Sequence, residues 1–315
     1  MVAAQVELLL VKGIGAEDKK IKMFKQNKNP FTNDKSPLRQ SNGGEMLQRN
    51  KKEEYEQKGW AFDENIDPAD LELSREGQNQ KEFLEEYIKS PKYLERLRKT
   101  NPNATREELI QERNTRLSNL TNPDLVKFIS DKDFDRIYSR GTVGIYADEE
   151  MIEADKEKGI VYPENTQGDS VILRPEYSEN YYKNPHWRYG TIPAHEFSHA
   201  VDEGGSRLSE SAIDFIEDHT KQPEFDHQNY YVEPSEFAAR IQATRYLLKE
   251  EGIYDAGTED FTKEHLDKAR TNTNIKYDRH FQDILEYSKS DKDLIKIMNT
   301  IADVSTNEND YSNYV

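Results

Sequence analysis

The sequence predicts an α+β fold, a small layer of strands with helices packed on it, and three patterns carry that expectation. Two short runs, 141–146 and 169–175, are rich in β-branched and aromatic residues and are bounded by Gly, Asp and Pro, as strands are. Segments 78–138, 234–248 and 261–302 place apolar residues at helical rather than alternating spacing. Between them Thr191-Ile192-Pro193-Ala194 leads into His195-Glu196-Phe197-Ser198-His199-Ala200-Val201-Asp202, a partly apolar stretch suited to a buried helix.

Four regions are expected along the 315 residues: an extended N-terminal arm over 1–60, a helical subdomain over 61–138, the main domain over 139–302 and a polar tail over 303–315. The apolar run at 2–11 is interrupted by Gln5 and Glu7, so it reads as a short strand and not as a signal peptide or membrane anchor. Residues 1–60 carry 12 Lys or Arg against 8 Asp or Glu, whereas 61–315 carry 32 against 53. The stretch 19–58 is rich in Lys, Asn, Gln and Ser, so it reads as an arm that orders only on a partner. The acidic body argues against general nucleic-acid binding and favours a protein partner. With no cysteine the chain has no disulfide framework, which fits a cytoplasmic or virion location.

In the helical region Phe83, Leu84, Tyr87 and Ile88 form one apolar face, and Tyr93, Leu94 and Leu97 form another after Pro91. Thr105-Arg106-Glu107-Glu108 has the form of a capping box opening a helix through Leu109, Ile110 and Leu117. The sequons at Asn103 and Asn119 are read as caps and turns. At the other end, Phe281, Ile284, Leu285, Leu294, Ile295, Ile297 and Met298 supply the apolar positions.

The chemistry concentrates in 195–199. Positions four apart on a helix differ by about 40° in azimuth, so His195 and His199 present their imidazoles on one face. Glu196 then stands beside the coordination position left open, where it can take a proton from a metal-bound water. A closed structural zinc site usually needs cysteines, which this chain lacks, so histidine and carboxylate ligation with an open position is expected. A third ligand must come from farther along. The segment 230–240 is the best source, because Pro234 suits a first helical turn and Ala238 and Ala239 let two helices approach closely. Both Glu233 and Glu236 qualify.

These residues resemble the gluzincin type of zinc metallopeptidase, and within it the catalytic-domain family of anthrax lethal factor. That family carries a nearly identical H-E-F-x-H-A-V-D, here His195 to Asp202, and about forty residues later an E-F-x-A helix, here Glu236-Phe237-Ala238-Ala239. The resemblance covers roughly 140–290. It implies a zincin-like fold and a zinc-dependent peptidase, with His195, His199 and Glu236 as ligands and Glu196 as general base. The family's oxyanion-holding tyrosine would fall on Asn229, so Tyr230 beside it is the candidate for that role. Asp202 is expected either to orient a ligand imidazole or to end the helix before Gly204-Gly205. An extended peptide is expected to pair with a strand edge ahead of the motif helix. The aromatic cluster Tyr177, Tyr181, Tyr182, His186, Trp187 and Tyr189 is read as core packing. Of the remaining histidines, His186, His219, His227, His265 and His280 lack metal spacing and are read as structural or exposed.

Similar zincin domains also occur in virion proteins of tailed bacteriophages. The alternative expectation is therefore a structural component of a ring, portal or tail assembly, with virion proteins or further copies of the chain as partners and the domain serving as scaffold or single-use maturation protease.

Overall fold

The computed structural model describes residues 71–301, apart from 131–132, 135–143, 161, 164–165, 167, 176–177, 179–190, 204–207 and 223–228. The expected arm, the tail, the aromatic cluster near 181–189 and the Gly204-Gly205 stop lie outside them. The fold is α+β, as expected, with a three-stranded sheet and helices before, between and after the strands.

Helix α1 (Arg75–Lys89) starts where the Ser74 hydroxyl accepts from the Gly77 amide, and buries Phe83, Leu84, Tyr87 and Ile88. Ser90 ends it and caps α2 (Pro91–Thr100), whose Pro91 occupies the first turn. Helix α3 (Arg106–Thr121) opens with the capping box read from sequence, the Thr105 hydroxyl accepting from the Glu108 amide and the Glu108 carboxylate from the Thr105 amide. Leu109 is buried, while Ile110 and Leu117 are only half-buried.

Helix was expected to continue to 138, but the chain leaves it at Asn122. Pro123 disfavours helical backbone at the residue before it, and Asn122 is extended at φ −56°, ψ 122°. The chain turns from there into the short strand β1 (Val126–Phe128).

Strand β2 (Gly144–Ala147), helix α4 (Glu149–Glu157) and strand β3 (Ser170–Leu173) come next, with Asp148 capping α4 through the Met151 amide. The strand order is β1-β3-β2, with β1 parallel and β2 antiparallel to β3. β3 is buried throughout, and its side chains alternate. Val171 and Leu173 join the main core, while Ile172 joins a smaller cluster with Ala147, Ile152 and Ile160 on the α4 side. The strand drawn from 1–60 lies outside the described residues.

Helix α5 (Ile192–Val201) runs under this sheet with Pro193 in its first turn. All of its residues from Pro193 to Val201 are buried. It packs on α1, α3, β2 and β3, and on α8 (Pro234–Glu250). Between them lie α6 (Glu210–His219) and the single turn α7 (Asn229–Val232). The segment expected to be helical over 261–302 is three short helices, α9 (Lys263–Thr271), α10 (Arg279–Tyr287) and α11 (Asp291–Met298). Asp278 and Ser290 side chains accept from amides of the following turn and set the breaks.

One apolar cluster runs from Leu71 to Ile301 and includes α1, α2, α3, α5, α8 and the C-terminal helices. The expected helical subdomain and main domain thus share a core, and they share the sheet, since β1 pairs with β3. Phe197 and Phe237 on facing helices are fully buried, each contributing about 1.5–3 kcal/mol by removal from water. Among the described residues no helix is long and apolar enough to cross a membrane.

Candidate metal centre

Because α5 and α8 pack closely through small residues such as Ala238, their polar positions meet in a buried place. His195 Nε2 lies 3.2 Å from His199 Nε2. Glu236 closes the triangle, with Oε2 at 3.3 Å from His195 Nε2 and Oε1 at 3.5 Å from His199 Nε2. With one donor atom taken from each residue, the three all lie within 4.8 Å of one another, close enough to face a single metal ion. The imidazole planes are 83° apart. Glu236 Oε2 is buried without a well-formed hydrogen bond and faces His195 Nε2, while Oε1 faces His199 Nε2. The donor set fits a divalent cation of zinc type, and among the described residues it is the one His, Asp and Glu group gathered this way.

The three side chains shift one another's protonation. Burial works against a charge on His199, but the Glu236 carboxylate outweighs it and raises the imidazole well above its ordinary value. At His195 burial prevails and lowers the imidazole. Burial would raise Glu236, yet the adjoining His199 holds it well below the usual carboxylate range. The trio therefore keeps one proton where a metal would supply positive charge.

The competition between Glu233 and Glu236 is resolved by helix capping. Glu233 is the N-cap of α8, its carboxylate accepting from the Glu236 amide at 2.8 Å and the Ser235 hydroxyl at 2.6 Å. Both bonds hold its Oε2 at the helix end, and Glu236 is the carboxylate beside the histidines.

Glu196 is 7 % exposed and accepts a hydrogen bond from the backbone of Tyr146 in β2. A Cβ at Gly144 would come within 3.0 Å of Glu196 Cγ and 2.9 Å of Leu173 Cδ2, so the strand can lie this close only because that residue is glycine. Burial pushes the Glu196 carboxyl up to about 7. β2 is at the edge of the described sheet, so the glutamate sits between the histidine pair and an open strand edge.

Tyr230 on α7 reaches the site. Its hydroxyl hydrogen-bonds the Glu236 carboxylate, and its ring lies 4.8 Å from the Arg240 guanidinium. Tyr231 instead stacks on Tyr287 at 5.2 Å, and Asn229 is an exposed helix end. Asp202 is the C-cap residue of α5, and the charge of its buried carboxylate adds to the field that raises His199.

His219 and His265 are structural as expected, the first bonded to the Phe215 carbonyl and the second completing a capping box with Thr262. His186 and His227 lie outside the described residues. His280 is structural as well, although its place against the site was not read from the sequence. It is buried and stacked face to face on His195, with centroids 4.8 Å apart and planes 4° apart. Arg240, also missed by sequence reasoning, lies 3.4 Å from Glu236 Oε2. Its i+4 spacing from Glu236 on α8 was the available signal.

Comparison with known protein families, with curated proteins and with solved structures gives no match to this chain.

Proposed function

We propose that this chain is a zinc-dependent peptidase of the zincin type. The supporting observation is the buried group of His195, His199 and Glu236, whose donor atoms lie within 4.8 Å of one another, with Glu196 on the helix turn that carries the two histidines. Zinc bound there supplies a Lewis acid that polarises a peptide carbonyl and brings the pKa of water toward neutrality.

The chain's own residues do the rest. An extended peptide adds at β2, the edge of the sheet among the described residues, next to the Tyr146 amide that holds Glu196, so its scissile carbonyl comes to lie over the histidine pair. Glu196 accepts a proton from the attacking water. It then passes that proton to the nitrogen of the departing amine, a cycle suited to a carboxyl titrating near neutrality. Tyr230, whose hydroxyl now rests on Glu236, is within a side-chain swing of donating to the oxygen on which negative charge develops.

Glu196→Gln should keep one zinc per chain, by elemental analysis of the purified protein, and lose at least about 100-fold of peptide-library cleavage. Wild-type cleavage by that variant would refute the assignment. A zinc-loaded wild type that assembles into a defined multimer and cleaves nothing would point instead to the virion-scaffold role.

A further inference from the structure

Ligating histidines usually donate their second ring nitrogen to a carboxylate or carbonyl, which fixes the ring. His195 does not: its Nδ1 is buried with no hydrogen-bond partner among the described residues. Something else must hold that imidazole, and the structure offers His280 from α10.

Three contacts lead from α10 to the centre. The His280 ring lies flat on His195 at 4.8 Å. His280 Nδ1 is 2.5 Å from the hydroxyl of Thr191, the residue that caps α5. That hydroxyl donates to Asp278 Oδ2 at 3.2 Å, so its one hydrogen is committed and Nδ1 must carry the proton and donate to it. One turn on, Asp283 Oδ2 accepts from Arg240 Nε at 3.2 Å, and the same guanidinium reaches Glu236 Oε2 through Nη2 at 3.4 Å. His280 and Asp283 are three apart and so share a helix face. The Arg240 plane is held further by the Tyr230 and Tyr231 rings, 4.8 and 5.4 Å away.

We infer that α10, which contributes no ligand, is the positioning element of the metal centre, with His280 locking the His195 ring and Asp283 locking Glu236 through Arg240. This rests on the metal-binding part of the proposed function. Its consequence is that the pair His280 and Asp283 sets metal affinity and geometry from more than forty residues beyond the last ligand.

The test uses the full chain, stripped of metal and titrated with zinc against a chromophoric chelator and with cobalt(II) by visible absorption. Asp283→Asn and His280→Ala should each weaken zinc by about 10- to 100-fold and alter the cobalt spectrum. His280→Phe, which keeps a flat ring, should recover part of the loss. Asp283→Asn should add little in an Arg240→Gln background, because both act on Glu236 through one guanidinium. Should His280→Ala fail to fold, Asp283→Asn carries the test, since that side chain is at the edge of the core, 14 % exposed. The inference is overturned if both variants bind zinc within about twofold of wild type with an unchanged cobalt spectrum, whatever happens to their unfolding midpoints. If wild type binds neither ion, the metal-centre reading falls, and this one with it.

Discussion

Zinc binding should release a proton even in mildly alkaline solution. Without metal, His199 is raised to about 10 because Glu236 outweighs the cost of burying its charge, while His195 stays neutral. At pH 8 the metal-free trio thus holds one proton, and a cation cannot bind His199 until that proton leaves. Affinity therefore falls as pH falls, by tenfold per unit, or about 1.4 kcal/mol. Between pH 9 and 7.5 this amounts to roughly 30-fold. Two histidines at their ordinary value would give no slope in that window. Below about 7 the Glu196 carboxyl also takes up a proton that the nearby cation opposes, so the slope should steepen there. Titration calorimetry at pH 8 in two buffers of different ionisation enthalpy measures the release, and between about one and two protons per zinc are expected, one from His199 and the rest from zinc-bound water. Zero protons released, with affinity flat from pH 7.5 to 9, would refute the shared-proton description. The same shift bears on the metal-free fold. Since the folded value lies above the unfolded one, the stabilisation is complete below about 6.5 and is lost as pH rises toward 10, which chelated protein should show in urea midpoints.

Other perturbations separate the remaining roles. Gly144→Ala forces a methyl to within 3.0 Å of Glu196 Cγ and should cut peptide cleavage more than tenfold while zinc content stays at one per chain. Glu233→Ala should cost about 1 kcal/mol in urea unfolding through the lost cap and leave zinc bound, whereas Glu236→Ala should abolish stoichiometric zinc; the reverse pattern would exchange their assignments. Thr105→Ala removes the α3 capping box and should cost about 1 kcal/mol of stability without changing zinc affinity.

What could be read from the sequence was what depends on short spacing. His195 and His199 share a face because they are one turn apart, and Thr105 with Glu108 is a cap because three residues separate them. Glu236 came within reach because Pro234 marks a helix start; only the resemblance chose it over Glu233, and the coordinates add that the Glu233 carboxylate is committed to capping. The three-residue strand β1 was missed, because it is too short for a period to register and pairs with a partner 45 residues away. Helix α4 left no expectation, although Asp148 supplies its N-cap. His280 and Asp283 were legible only as the margin of an amphipathic helix, since their contacts with His195 and Arg240 arise from how α10 meets α5 and α8 in space.

Two of the metal-facing side chains sit on α5 and the third on α8, 37 positions after His199. A cation shared by them would tie the two helices across that span, and because it binds the folded chain and not the unfolded one it would stabilise by mass action, by about 2.7 kcal/mol at a free concentration about 100 times its Kd. The chain has no cysteine. A metal cross-link of this kind would be one that a chelator can undo and an ion can restore, with resistance to unfolding rising and falling alongside occupancy.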